Sequence, residues 1–210
     1  DRPAIPGLLA AAASFKALQQ AGIANRARYI IETGEARDSH HMACLIGYNV
    51  SAVYPYLALQ TIRHMCDRGE IDGPYETAAL NYKTALEEGL YRVISRMGIS
   101  TLSSYYGAHL FDTICLNRDF VEEYFTGTPV TIEADGIQEI ECSLLHRHAA
   151  GFDVSGPILE NTGTIQFRKG GERHAWSPPN IATLHKFLRE KDEKAYEDFS
   201  KSSIEEPIFI

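Results

Sequence analysis

The spacing of apolar positions predicts a helix over 8–20, closed by Gly22, followed by Tyr29-Ile30-Ile31, a short apolar run suited to a buried strand. Thr33-Gly34-Glu35 punctuates that strand. Asp38 is placed to cap a helix running through His41, Met42 and Leu45 to Gly47. Residues 50–54 read as a second strand, and Pro55 at the first helical position opens a helix carrying Leu57, Thr61, Ile62 and Met65 that ends at Arg68-Gly69. Two strand-then-helix units in such close succession predict parallel βα architecture.

Beyond the turn at Asp72-Gly73-Pro74, Leu86, Leu90, Val93, Ile94 and Met97 form one apolar stripe on a helix that stops at Gly98. The pattern then predicts a strand over 99–102, a helix over 105–116, and a short helix capped by Asp119 and broken at Thr126-Gly127-Thr128. Ile137, Ile140, Leu144 and Leu145 mark another helix, closed by Gly151, and 151–163 reads as loop. Residues 164–167 and 173–176 flank Lys169-Gly170-Gly171 as a hairpin would. Ser177 with Pro178-Pro179 starts a helix holding Ile181, Leu184, Phe187 and Leu188, and the charged stretch 189–193 reads as its solvated end. The fold class expected is α/β: partial (β/α) barrel-like units, parallel strands with flanking helices, and a small β-hairpin near residues 164–176.

Composition narrows the function classes. The 210 residues are 44% hydrophobic and 23% charged, which excludes a disordered, collagenous or disulfide-scaffold chain. With 20 Lys+Arg against 28 Asp+Glu, the net charge of −8 and the lack of a basic cluster argue against nucleic acid as a partner. No apolar run approaches the ~20 residues that span a bilayer, so no membrane association is expected. The Ala-rich start lacks the basic leader of a signal peptide. Cys44, Cys66, Cys115 and Cys142 are too dispersed for a CxxC metal motif or a secreted framework and read as reduced thiols. The chain opens at Asp1 without Met and closes on the apolar run Pro207-Ile208-Phe209-Ile210, and is read as a segment of a longer protein.

Candidate chemistry is sparse. His40 with Cys44, and Cys142 with His146, stand at helical i, i+4 spacing, which places each pair on one face, but neither has a second half to complete a zinc site. His146-Arg147-His148 with Arg92 and Arg96 form an anion site only if the fold gathers them; otherwise they are solvated helix surface. Lys169-Gly170-Gly171 has no following helix to cradle a phosphate and reads as a turn. The corner 33–41 lies between a strand and a helix, where α/β proteins place ligands, and packs Glu35, Arg37, Asp38, His40 and His41 together. It is read as an interdomain or ligand-facing corner, with Glu35 and Arg37 as an ion pair. No Walker loop, GxGxxG, HExxH or Ser/His/Asp order occurs, so neither a catalytic residue nor a metal ligand is assigned.

Several runs in one order carry a resemblance. Glu32-Thr33-Gly34-Glu35-Ala36-Arg37-Asp38-Ser39-His40-His41, continuing through Leu45-Ile46-Gly47-Tyr48 to Pro55-Tyr56-Leu57-Ala58, resembles the end of the central domain of the glutamate synthase large subunit. Gly89-Leu90, then Val93-Ile94-Ser95-Arg96-Met97-Gly98-Ile99-Ser100-Thr101, then Ser104-Tyr105 and Gly107-Ala108, resembles the opening of that family's FMN-binding barrel. Phe125-Thr126-Gly127-Thr128, His146-Arg147-His148, and Gly171-Glu172-Arg173-His174 with Trp176 follow in the family's order.

The resemblance implies an enzyme that makes L-glutamate from L-glutamine and 2-oxoglutarate. Ammonia released by an amidotransferase domain is captured, and the imine is reduced at FMN with electrons passed through an iron–sulfur cluster from NADPH, NADH or ferredoxin. It also implies that residues 1–73 end the central domain and 74–210 begin the FMN-binding barrel. Gly98, Ile99, Ser100, Thr101 and Ser103 would lie near the flavin. Ser103 and His109 stand where the family usually has Gln, and Arg92 and Arg96 where Lys is usual. The partners implied are the amidotransferase domain and the rest of the barrel, in a cytoplasmic or plastid-stroma enzyme. None of the four cysteines occupies the cluster motif, and the family's amidotransferase nucleophile and later phosphate loops are not among these residues, so the segment alone is expected to be inactive and to hold neither FMN nor iron–sulfur cluster. Uncovered strand edges and helix faces are expected to make it self-associate. The alternative reading is a non-catalytic scaffolding or interaction module with a degenerate FMN-barrel fold.

Overall fold

A computed structural model describes residues 2–153, 163, 166–172, 174 and 176–204. It divides into two units, Asp1–Gly151 and Phe152–Ile210. In the first unit the order is α1 (Gly7–Gln20), β1 (Ile30–Glu32), α2 (Ser39–Gly47), β2 (Ala52–Tyr54), α3 (Tyr56–Asp67), α4 (Tyr75–Arg96), α5 (Leu102–Tyr105), β3 (Thr113–Leu116), α6 (Arg118–Tyr124), β4 (Val130–Asp135) and α7 (Ile137–Phe152). The second holds α8 (Pro178–Glu190) and α9 (Glu193–Ile204).

Local chemistry accounts for most of these boundaries. Alanine, the strongest helix former, fills α1. Helix α4 ends in a left-handed Gly98, whose N–H donates to Ser95 O (3.0 Å) while Ile99 N–H donates to Ile94 O (3.0 Å), closing the helix's last carbonyls. Asn117 Oδ1 accepts from the N–H groups of Asp119 (2.9 Å) and Phe120 (3.3 Å) to start α6. Ser177 Oγ accepts from Asn180 N–H (3.4 Å) at α8, where Pro178 occupies the first helical position.

The chain is α/β, with parallel strands and flanking helices. The described strands form two separate pairs. In the first, Ile30 pairs with Ala52 and Glu32 with Tyr54; in the second, Thr113 pairs with Val130 and Leu116 with Asp135, across register shifts on either side of Ile114. Three clusters hold the first unit. Ala11, Ala36, Met42, Leu45 and Val50 join α1, α2 and the strand ends. Ala12, Tyr48, Phe120, Val121 and Phe125 join α1 to α6. Ala43, Leu90, Ile94 and Tyr105 lock α2 against α4 and α5.

Several sequence expectations are corrected. Residues 99–101 carry no strand, and 102–105 are helical. The stretch 105–116 is not a helix but breaks at left-handed Gly107 and His109 before strand β3. Its backbone serves α2 instead: Gly107 N–H donates to Ile46 O and His109 N–H to Gly47 O (both 3.2 Å), satisfying carbonyls at that helix's end. Asn117, not Asp119, caps α6. Ile30 is 75% exposed, so β1 is not a buried strand. Strand β4 and helix α9 were not anticipated; the charged stretch 189–193 contains a left-handed Lys191 that ends α8 before α9 begins. Of the expected hairpin, Thr164, Ile165, Arg173 and Ala175 lie outside the described residues, as does 154–162 of the expected loop. The described part contains a turn in which Gly171 N–H donates to Arg168 O (3.1 Å).

Candidate functional site

The corner 33–41 is held on three sides. Thr33 is buried, and its Oγ1 accepts from Glu35 N–H (3.1 Å), turning the chain sharply after β1. Ala36 enters the first core cluster, so the corner is partly core. Glu35 makes no ion pair with Arg37. Its Oε2 accepts instead from Gly7 N–H (2.6 Å), placing a carboxylate at the N-terminus of α1, where Pro6 brings no capping side chain. Tyr82 of α4 donates its hydroxyl to Arg37 O (2.9 Å).

Asp38 does cap α2, its Oδ1 accepting from His41 N–H (2.9 Å). His41 Nδ1 accepts from Arg37 N–H (3.1 Å), so that nitrogen carries its lone pair and its 3.4 Å approach to Asp38 is no ion pair. The His41 N–H bond is the main reason the Asp38 carboxyl titrates below the usual aspartate range. A depressed carboxyl stabilises the fold above its unfolded value and loses that contribution as pH falls through the folded one. We expect Asp38→Ala to lower stability by about 1 kcal/mol at pH 7 and by much less at a pH well below the ordinary aspartate value, once the folded carboxyl too is protonated. Urea denaturation at both pH values checks this; a cost that does not shrink in acid would show that the cap is not electrostatic.

The segment 98–103 follows α4. Nothing lies within 4 Å of where a Cβ on Gly98 would sit, and its φ of +74° favours glycine. The N–H groups of Gly98 and Ile99 are spent on closing α4, leaving hydroxyls as the segment's outward chemistry. Thr101 Oγ1 lies 2.8 Å from Ser104 Oγ, Ser103 Oγ donates to Thr101 Oγ1 (3.3 Å), and Ser100, Thr101 and Ser103 are exposed. Ile99 packs against the α2–α4 cluster. Met97 on one flank lines a cavity of about 710 Å³ with Phe111, Asp112 and Gly127. Leu102 on the other lines a groove of about 640 Å³ between α3 and α4.

A polar node beside the 710 Å³ cavity escaped the sequence reading. His109, at φ +51°, donates from Nδ1 to Thr126 O and accepts at Nε2 from Asn49 Nδ2–H (both 3.3 Å). Its ring lies 4.6 Å from that of Tyr48, whose hydroxyl meets Thr128 Oγ1 at 2.7 Å. Burial pushes the Tyr48 hydroxyl above the ordinary tyrosine value. The sequence marks His109 only as standing where the family usually has Gln; its bonds depend on partners 60 and 17 residues away, which no local pattern shows.

His40 Nε2 approaches Cys44 Sγ at 3.5 Å, but burial pushes that thiol up to about 11, so it stays protonated at neutral pH. No group of three or more His, Cys, Asp or Glu that would hold a metal occurs among the described residues. Cys142 is exposed on α7, and Arg92 pairs with Glu88 on its own helix (3.6 Å). No helix among the described residues is long and apolar enough to cross a membrane.

Known proteins resemble this sequence along nearly its whole length. The chain is 39% identical over 206 residues to the glutamate synthase [NADPH] large chain of Bacillus subtilis, covering 97% of this chain and 14% of that protein. It is 39% identical over 220 residues to the chloroplastic ferredoxin-dependent glutamate synthase 2 of Arabidopsis thaliana, covering 100% of this chain and 14% of the relative. Against the glutamate synthase [NADH] of Schizosaccharomyces pombe it is 32% identical over 212 residues, covering 98% and 10%. The chain thus spans about a seventh of the length of the first two. Residues 1–117 match the family described as the glutamate synthase central domain, and with more than half of its length inside that match the chain belongs to this family.

Proposed function

We propose that the chain works as part of a glutamate synthase that makes L-glutamate from L-glutamine and 2-oxoglutarate, and that 98–103 is its contribution to the flavin site. The observation that carries this is the solvent-facing row Ser100, Thr101 and Ser103 after an open Gly98. In this reading the parallel βα pairs are barrel-like units completed by the rest of the polypeptide. In this reading the hand-over from central domain to FMN-binding domain is the turn at Asp72-Gly73-Pro74, inside the stretch 1–117 that matches the central-domain family.

The residues present fit one edge of a flavin. Gly98 leaves clearance for a ring or phosphate; Ser100 presents an exposed hydroxyl, and Ser103, exposed and bonded to Thr101 Oγ1 (3.3 Å), can exchange that bond for one to the ligand. Bound FMN would supply hydride transfer to an imine; Ser100, Thr101 and Ser103 would hold and orient it beside the open Gly98, Ile99 would anchor the segment through the α2–α4 cluster, and none of them moves a proton. The cysteines do not fit an iron–sulfur cluster: Cys44 is a protonated thiol, and no trio gathers among the described residues. Those ligands therefore come from outside the chain. The electron donor is NADPH, NADH or ferredoxin, the three named among the relatives, and the compartment is cytoplasm or plastid. The amidotransferase domain and the remaining barrel are the partners.

The test uses the full-length protein from the same gene. It should form glutamate from glutamine and 2-oxoglutarate and carry FMN through gel filtration, while the 210-residue chain alone emerges colourless and self-associated. Ser103→Ala in the full-length protein should weaken flavin retention several-fold without moving the melting temperature by more than 1–2 °C, since the side chain is exposed and loses only one ~1 kcal/mol hydrogen bond. Unchanged flavin content in Ser103→Ala and Gly98→Val together would remove the segment from the site.

A further inference from the structure

Helix α3 is strongly amphipathic, yet none of its twelve residues is buried. Across the 640 Å³ groove, to which α3 contributes Leu59, α4 buries Leu90 and Ile94 but leaves Leu80 59% and Tyr91 61% exposed. Met42, Val53 and Leu86 also line the groove. Its charged side chains, Lys83 and Glu87, pair with each other at 2.6 Å, so the groove presents apolar surface and little else. The β1–β2 pair adjoins it with Ile30 75% and Tyr54 51% exposed. Parallel sheets are stable when helices cover both faces; here Ile31 and Val53 pack into the cluster of α1 and α2, while the alternate positions Ile30 and Tyr54 stay exposed.

We propose that the groove between α3 and α4 is the seat of an uncharged, apolar helix face supplied by the same polypeptide from outside these 210 residues. The inference rests on the glutamate synthase reading in one respect, the length of the parent. Relatives are about seven times longer than this chain, so most of the polypeptide lies outside it. A tethered segment competes at an effective concentration in the millimolar range, well above that of a second copy at micromolar protein. The absence of an unpaired charge in the lining selects an apolar occupant over an acidic or basic one.

The experiment places the photo-reactive residue p-benzoylphenylalanine at Leu80, on the groove rim, in the full-length protein. A second protein carries it at Glu88, which is exposed on α4 and does not line the groove. After irradiation and denaturing electrophoresis, the Leu80 protein should remain at monomer mass, joined to a peptide outside 1–210, with at least tenfold more of that product than the Glu88 protein. A product of doubled mass would make the occupant a second copy and overturn the proposal, as would linkage to a peptide within 1–210. Linkage no stronger than at Glu88 would leave the groove open and overturn it too. Glutamate formation assayed on the same preparation separates the two readings: activity without linkage sinks only the docking site, and linkage without activity sinks only the function.

Discussion

Tyr105→Ala is expected to cost about 3–5 kcal/mol, enough to lower the melting temperature of the first unit by roughly 10 °C. Tyr105 is 0% exposed and fills the space between Ala43, Leu90 and Ile94, while its hydroxyl donates to Ala43 O at 3.1 Å. Removing the ring opens a cavity where α2, α4 and α5 meet and strips away the only side chain of α5 that is buried. Tyr105→Phe keeps the ring and should cost about 1 kcal/mol. The two variants also separate in alkali. Burial, then the nearby Cys44 and Tyr48 charges, push the hydroxyl up to about 12 from an ordinary 10. Between those values the unfolded chain releases a proton that the folded chain keeps, so stability present below pH 10 is lost as pH rises toward 12. Tyr105→Phe should flatten that slope in a urea series. A cost below 1 kcal/mol for Tyr105→Ala would mean the cluster collapses freely, and that α5 does not hold the two helices together.

Gly89→Ala should change sign with its neighbour. In an exposed helix interior the substitution gains roughly 0.5–1 kcal/mol. Here a Cβ would overlap the Ser39 side chain at the start of α2, whose Cα is only 3.9 Å away. The helices must part, at about 1–3 kcal/mol. Replacing Ser39 with Gly clears the space, so in that background Gly89→Ala should be neutral or stabilising. A double-mutant cycle by urea denaturation reads the coupling directly, and 2 kcal/mol or more is expected. Additive costs would mean that α2 and α4 approach less closely than they do here.

How much of this was legible beforehand follows the range of the interactions. Helices α1, α2, α4 and α8 are announced by short-range signals: an alanine run, Asp38, the Leu90–Ile94 stripe closed by Gly98, and Ser177 before two prolines. Residues 105–109 look helical by composition. They leave the helix because Ile46 and Gly47 carbonyls at the end of α2 need donors, a demand set from about 60 residues upstream. Sequence proximity pairs Glu35 with Arg37, two positions along, whereas the fold gives it to Gly7, 28 positions back. Strand β4, whose residues 131–135 are all exposed, has none of the alternation that marks a half-buried strand. The hydroxyl row at 98–103 was visible as residues. That two of its N–H groups are spent on closing a helix was not.

The division into two units has a consequence for how the protein can be watched. Its one tryptophan, Trp176, lies in the second unit, whereas ten of its eleven tyrosines, all but Tyr196, lie in the first. Fluorescence excited at the red edge of the aromatic band therefore reports on residues 152–210 and is blind to the unit that carries the groove, the His109 node and the hydroxyl row. Tyrosine difference absorption reports almost entirely on the other. Each unit thus carries its own optical signature, and unfolding followed by one colour alone would describe one unit and miss the other.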